Sequence, residues 1–401
     1  MAQQKNIKHK TYNLKFLKNK KFQLCLQAIL LLVIFFNFFS TIWQYKDSYF
    51  KFDYWQKFPA LEKTYLSSQY VNKHPEGWVP DEIVGLYAGG KLITGTNPVL
   101  IIPDSPPLGK YLIGLSALIF NNGNIATLMA GILSLVLMYL VGMQILRSKL
   151  LTLLPIFFLS FESIFKNQFV YVPLLDIFQL VFLLAGFYFF NKFLVLKNNN
   201  LSIILSMLFL GFFISTKFFI TGLVILIAYY LVVILNKDIK RFFYLTIFFP
   251  LSILILLLTY IRVFAFEYNL HSFLGIQKWI FLYHKSQLIL PLSIWPLLLL
   301  NKWYVWFGNK PVISDGQWSI TWPIITIISI ITAIFYVFKK ISKNLNIEIL
   351  LAWFIFYMVF FSFGQISSRY FVILIPILYI ISIFGIKEFA RKLIHNKRDH
   401  V

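Results

Sequence analysis

Two adjacent carboxylates, Asp81 and Glu82, begin the stretch D-E-I-V-G-L-Y-A-G-G-K, and after a short spacer Asp104 precedes the turn S-P-P-L-G-K, which ends at Lys110. A carboxylate within reach of a hydroxyl can act as a general base. Lysine and arginine can stabilise charge building on a departing phosphate without a metal. Four more ionisable residues interrupt or border apolar runs, namely Asp176, Lys217, His284 and Arg369, and Glu162 ends another such run. Ionisable groups at membrane depth usually mark a pathway or a site. Each also has a plainer reading. Asp176 suits the first turn of a helix, Lys110 and Lys217 suit snorkelling to headgroups, Arg369 suits an interfacial anchor, and His284 suits a satisfied loop histidine.

The elements that must position these residues are membrane helices. The chain has 401 residues, is 59% hydrophobic and only 13% charged, and its mean hydropathy is +0.74. Soluble domains carry about a quarter charged residues, so the composition indicates an integral membrane protein. Apolar runs predict about ten spans: Leu24–Trp43, Ile125–Leu146, Leu150–Phe165, Val172–Phe190, Leu201–Ser215, Phe218–Leu235, Phe242–Ile261, Ile320–Phe338, Ile347–Phe363 and Phe371–Ile386. Leu201–Leu235 is too long for one helix, and Ser215-Thr216-Lys217 is the only polar break where it can turn. Cys25, the only cysteine, falls inside the first run, which excludes a disulfide framework or a cysteine metal site within the chain. The first run follows a basic segment and no small-residue cleavage site follows it, so it reads as a retained anchor.

Charge sets the predicted orientation. With the N-terminus in the cytoplasm, 22 of the 37 Lys and Arg residues fall in cytoplasmic segments. These are the N-terminal tail, Arg147–Lys149, Lys192–Lys197, Lys237–Arg241, Lys339–Lys343 and the C-terminal tail. The net charge of +22 is thus mostly topological, and nucleic acid is not an expected partner. The resulting layout is a single membrane domain with both termini cytoplasmic. Its parts are a basic tail (1–23), a first span (24–43), an external loop (44–124), a helix bundle (125–261), a second external loop (262–319), C-terminal spans (320–386) and a basic tail (387–401). Within the first loop, Tyr111–Phe120 reads as a helix lying on the membrane. In the second, Leu288–Leu300 is too short to span and reads as interfacial or re-entrant. Trp295, Trp303, Trp306, Trp318 and Trp322 read mostly as an aromatic belt. On this layout Asp81, Glu82, Asp104, Lys110, Glu162, Asp176, Lys217, His284 and Arg369 all collect at the outer face.

No internal repeat, G-x-G-x-x-G, P-loop, H-E-x-x-H or metal-ligand spacing is present. A lipid-linked sugar flippase or transporter is the alternative of a different class. Such a protein is expected to show repeat symmetry and charges near the bilayer midplane.

The motifs resemble those of the protein O-mannosyltransferases, which belong to the GT-C membrane glycosyltransferases. Asp81-Glu82 resembles the family's D-E pair, and Ser105-Pro106-Pro107-Leu108-Gly109-Lys110 resembles H-P-P-L-G-K with serine in place of histidine. Leu174-Leu175-Asp176 resembles L-L-D, and Gly211–Gly222 with Ser215-Thr216-Lys217 resembles G-x-x-x-S-x-K-x-x-G. Gln277, Tyr283-His284, Pro291, Ser293, Trp295 and Pro296 follow a loose Q, Y-H, P-x-S-x-W pattern, and Arg369-Tyr370 with Pro376 resembles R-Y-F followed by proline. Thr127 and Phe169-Val170-Tyr171 stand where the family carries arginines.

The resemblance implies an all-α polytopic enzyme of about ten transmembrane helices. It would transfer a sugar, mannose by analogy, from a polyprenyl-phosphate donor to an acceptor outside the membrane. Asp81 is then the base, with Glu82 beside it, and Lys110, Lys217 and Arg369 meet the donor phosphate. Asp104, Asp176 and His284 are further candidates. A protein Ser/Thr hydroxyl is the implied acceptor, with a lipid or envelope polysaccharide as the alternative. The chemistry requires no cofactor and is compatible with a divalent metal.

Overall fold

The computed structural model describes residues 19–72, 79–170, 173–196, 199–286, 290–305, 312–338, 344–364 and 366–398. Most of the N-terminal basic tail lies outside these residues, as do Lys197, Leu288, Trp306 and Lys339–Lys343. The described chain is a helical bundle. Its one sheet among the described residues is a two-stranded antiparallel pair, with Trp303 opposite Ile313 and Tyr304 opposite Val312.

Five helices are long and apolar enough to cross a membrane: Lys20–Gln44, Asn124–Leu146, Asp176–Val195, Ile239–Thr259 and Leu345–Ser362. The Leu201–Leu235 run divides into Asn200–Ile214 and Ile220–Leu235, and the chain turns at Ser215-Thr216-Lys217. The helix Asp176–Val195 is the centre of the bundle, with 78% of its apolar window buried against neighbouring helices. In Lys20–Gln44 that share is only 6%, so most of its apolar side chains lie on the outside of the bundle.

The third predicted span differs from the expectation for Leu150–Phe165. It is two helices, Lys149–Phe161 and Ser163–Val170, bent by 64°. Glu162 causes the break by leaving the helix at φ −66°, ψ 122°. Its carboxylate instead binds neighbouring helices. Oε1 accepts from Thr321 Oγ1 at 2.6 Å and from the Tyr379 hydroxyl, and Oε2 accepts from Trp322 Nε1 at 3.0 Å. Three donors thus satisfy a buried carboxylate that would otherwise be costly.

Above one end of the bundle lies a layer of shorter helices. Tyr54–Leu66, Asp81–Ile93 and Leu108–Phe120 form most of it. Asp81–Ile93 and Leu108–Phe120 meet where Gly89 faces Gly114. A Cβ on Gly89 would lie 2.9 Å from Gly114 N, and one on Gly114 would strike the Gly89 carbonyl. Only glycine permits this backbone contact, which places the D-E pair and the P-P-L-G-K turn side by side. Tyr54 fixes the layer, donating its hydroxyl to Leu86 O at 2.6 Å and its backbone N–H to Asn121 O at 2.9 Å. Arg262 also donates to Leu92 O.

The helix starts differ between the two ends of the bundle. At the basic end Asn19, Ser148, Asn199, Asp238 and Asn344 each accept a backbone N–H as side-chain caps. At the opposite end Asp53 caps Tyr54–Leu66, but Asp81–Ile93, Leu108–Phe120, Asp176–Val195 and Ile220–Leu235 begin without a side-chain cap. Uncapped N-termini leave donors and partial positive charge facing that end.

Candidate functional site

Three of these helix starts, those of Asp81–Ile93, Leu108–Phe120 and Asp176–Val195, contribute to the wall of a cavity of about 90 Å³. Its lining includes every candidate named from the sequence motifs: Asp81, Glu82, Asp104, Lys110, Asp176, Lys217, His284 and Arg369. The outer-face group loses only Glu162, which is used between helices as described above.

Asp81 is the first residue of its helix, where a carboxylate is favoured by the helix dipole. Its two oxygens have different partners. Oδ2 lies 2.8 Å from Arg369 Nη2, and Oδ1 accepts from the Tyr70 hydroxyl at 2.8 Å. Burial acts to raise the Asp81 pKa, but the Arg369 charge, its hydrogen bond and that of Tyr70 together outweigh it. The carboxyl is held below its ordinary value. Burial and the charges of Asp81 and Asp104 push the Tyr70 hydroxyl up, so it remains a protonated donor.

The second carboxylate–cation pair is tighter. Lys217 Nζ lies 2.5 Å from Asp176 Oδ1, and both side chains are mostly buried. The Tyr370 ring stands beside both cations, 4.6 Å from Lys217 Nζ and 5.6 Å from the Arg369 guanidinium carbon. Tyr357 steadies this segment by donating its hydroxyl to Tyr370 O at 2.9 Å. Arg369 Nε is buried without a partner among the described residues. Buried donors are nearly always paired, so this unmet guanidinium N–H beside the cavity would favour an acceptor there.

The S-P-P-L-G-K turn is braced from within. Lys110 is 2% exposed and donates to Ile102 O at 2.6 Å and Ser105 O at 3.0 Å. Ile102 sits at φ 52°, a strained conformation for a β-branched residue, and the lysine holds its carbonyl in place. Two of the three ammonium donors are therefore engaged by the turn. Burial draws the Lys110 pKa down to about 8, against the opposing pull of Asp104 and Asp81. Asp104 accepts from Ser105 Oγ at 3.2 Å, and burial pushes its carboxyl above the usual range. His284 Nε2 faces Asp104 O at 3.0 Å. A carbonyl only accepts, so Nε2 carries the proton there, and burial pulls the ring toward its neutral form.

Gly109 explains the glycine of the turn. A Cβ there would stand 2.8 Å from Leu175 Cδ2 and 3.1 Å from Thr216 Cγ2. The backbone of P-P-L-G-K is thereby pressed against the L-L-D and S-T-K segments. Leu108 N–H completes the junction by donating to Ser215 O at 2.9 Å.

The polar cavity adjoins an apolar one of about 400 Å³. The two share Asp176, Lys217, His284 and Tyr370, and the larger is otherwise lined by Phe218, Ile220, Phe281, Val359, Phe360, Phe363 and their neighbours. Its wall also carries the buried polar residues Gln179 and Thr221. Gln179 is one turn beyond Asp176, and its Nε2 has no partner among the described residues. Sequence reasoning missed Gln179, although a glutamine three residues after Asp176 in an apolar helix was a readable signal. It also missed Tyr70, for which a loop tyrosine offered none. Among the described residues no group of three or more His, Cys, Asp and Glu is arranged to hold a metal.

No family model and no curated protein sequence matches the chain. Solved structures do match in fold. ArnT from Cupriavidus metallidurans in the apo state superposes with a TM-score of 0.55 at 13% identity, covering 79% of this chain and 57% of that one. The same protein bound to undecaprenyl phosphate gives 0.55 and 13%, covering 79% and 58%. The archaeal oligosaccharyltransferase AglB from Archaeoglobus fulgidus, in complex with an inhibitory peptide and a dolichol-phosphate, gives 0.49 at 11% identity, covering 95% and 52%. The chain thus spans under three fifths of the ArnT chain. It is an all-α polytopic membrane protein with a GT-C-type fold.

Proposed function

We propose that the protein is a membrane glycosyltransferase that moves a sugar from a polyprenyl-phosphate donor to an acceptor hydroxyl. The observation that carries this reading is the junction of the two cavities. A polar chamber holding Asp81, Lys217 and Arg369 shares a wall of Asp176, Lys217, His284 and Tyr370 with an apolar chamber. A lipid phosphate has the same division, a charged head on a long apolar tail. The shared fold with ArnT, whose structure includes a complex with undecaprenyl phosphate, supports a lipid-phosphate donor.

In this reading Asp81 takes the proton from the acceptor hydroxyl. The acceptor oxygen bonds to the anomeric carbon as that carbon's bond to the phosphate oxygen breaks. The electron pair leaves with the polyprenyl phosphate, and Lys217 and Arg369 meet the growing charge. Lys110 acts chiefly by bracing the turn and adds its charge to the chamber. Asp176 orients Lys217, Glu82 and Asp104 line the acceptor side, and His284 stands in the wall shared with the apolar chamber.

The motif resemblance favours mannose as the sugar and a protein Ser/Thr as the acceptor, with a lipid or envelope polysaccharide as the second reading. The charge distribution favours a site on the external face with both termini cytoplasmic. The test is incubation of purified protein with radiolabelled polyprenyl-phosphate sugars and peptide, lipid and glycan acceptors, alongside Asp81→Asn. Transfer by wild type and a loss of ~10²–10⁴-fold in the variant is the expected result. Equal transfer by folded Asp81→Asn removes the base assignment, and no transfer from any lipid-phosphate sugar removes the proposal.

A further inference from the structure

The Asp81–Arg369 pair is only half formed. Arginine binds a carboxylate or phosphate best through two parallel N–H groups, and Nε with Nη2 forms one such edge. Here Asp81 Oδ2 takes Nη2 at 2.8 Å, while Nε of the same edge is buried and unmet among the described residues. The second carboxylate oxygen, which would close the fork on Nε, instead accepts from the Tyr70 hydroxyl at 2.8 Å. Tyr70 comes from a different element, the turn after Tyr54–Leu66. That turn is itself held, because Gln69 exchanges two hydrogen bonds of 2.9 Å with the backbone of Val79, two residues before Asp81.

We infer that Tyr70 is a positioning residue that keeps the Asp81–Arg369 pair open, so that a lipid phosphate can take the Nε/Nη2 edge and release Asp81 Oδ2 as the base. This rests on the lipid-phosphate reading above. In the ligand-free site the base is occupied by the cation that the donor needs. The donor phosphate exchanges the pair: Arg369 moves its two N–H groups to phosphate oxygens, and Asp81 keeps Tyr70 and loses Arg369. No covalent bond changes in this step. It orders the reaction, because the base is free only when the donor is in place. A closed, bidentate pair would oppose the exchange, since the phosphate would then have to break two charge-assisted bonds instead of one.

The experiment measures binding of sugar-free undecaprenyl phosphate to the purified full chain in detergent, for wild type, Tyr70→Phe, Asp81→Asn and the double variant. Tyr70→Phe lets the pair close and should weaken binding by about tenfold, the scale of one charge-assisted bond. Asp81→Asn removes the competitor for Arg369 and should tighten binding. Glu82→Gln, which removes a charge from the same chamber without touching Arg369, should tighten it less. In the double variant the Tyr70 effect should vanish, because there is no carboxylate left to close. A loss that persists in the double variant means Tyr70 acts only on local structure and overturns the inference. So does unchanged binding by Tyr70→Phe. If wild type itself does not bind undecaprenyl phosphate, the lipid-phosphate reading fails first, and the inference with it.

Discussion

Lys217 Nζ lies 2.5 Å from Asp176 Oδ1, joining the turn between two apolar helices to the first residue of the central one. The side chains are 17% and 5% exposed, so neither charge is well solvated without the other. Such a pair contributes little net stability, yet removing one partner leaves an uncompensated buried charge.

This relationship separates stability from activity. Asp176→Asn should destabilise the bundle by roughly 3 kcal/mol, whereas the double variant Asp176→Leu with Lys217→Met should recover most of that loss. Thermal unfolding in detergent measures both. If Lys217 meets the donor phosphate as proposed, the double variant should nonetheless be inactive. Wild-type transfer by the double variant would limit Lys217 to a structural role.

Gly109→Ala tests the contact that joins the three motifs. The new Cβ would meet Leu175 Cδ2 at 2.8 Å and Thr216 Cγ2 at 3.1 Å. Relieving this overlap should cost about 1–3 kcal/mol and displace the turn. Activity should fall by roughly 10²-fold if the chamber's geometry is what matters, since small misplacements are costly to catalysis. Gly275→Ala is the comparison, because a Cβ there has nothing within 4 Å and the residue lines neither cavity. Equal activity in the two variants would separate the turn from catalysis.

Lys110 predicts an alkaline limit. Burial draws its pKa to about 8, so it carries its charge below that pH and loses it above. If its positive charge helps hold the donor, the donor KM should rise as pH passes through about 8 in wild type. Lys110→Gln has no such charge to lose, so its donor KM should be higher at neutral pH and flat across the same interval. Steady-state kinetics from pH 6.5 to roughly 9.5 decide this. A wild-type KM that does not change with pH would confine Lys110 to bracing Ile102 and Ser105.

Orientation is testable with an impermeant thiol reagent in intact cells. In a Cys25→Ser background, cysteines replacing the exposed residues Lys63 and Ser314 should be labelled, while one replacing Lys149 should react only after permeabilisation. Labelling of the Lys149 position alone would invert the proposed topology and place the chamber at the cytoplasmic face.

Much of the bundle was legible because apolar length and charge asymmetry are properties of single segments. A membrane helix must satisfy its own backbone, so a long apolar run identifies itself without knowing its neighbours. Ser215-Thr216-Lys217 was readable as a turn for the same reason, being the only polar break in its run. The bend at Glu162 was not. That depended on Thr321, Trp322 and Tyr379, donors from distant helices that make it favourable for a glutamate to leave the helix. The polar residues of the site were recognisable by type, since ionisable groups beside apolar runs are rare.

Their pairing was decided only by the tertiary structure. Nothing in the sequence assigns Arg369 to Asp81 and Lys217 to Asp176, or sends two donors of Lys110 to the carbonyls of its own turn. A lone charge at a membrane surface is the same in sequence whether it anchors to headgroups, fills a turn or faces a chamber. Coulomb attraction and hydrogen bonding fall off over a few ångströms, so these roles depend on distances between segments far apart in the chain. The sequence determined a membrane helix bundle with a set of ionisable groups outside its core. The fold decided which of those groups neutralise one another, and which N–H of Arg369 is left without a partner among the described residues.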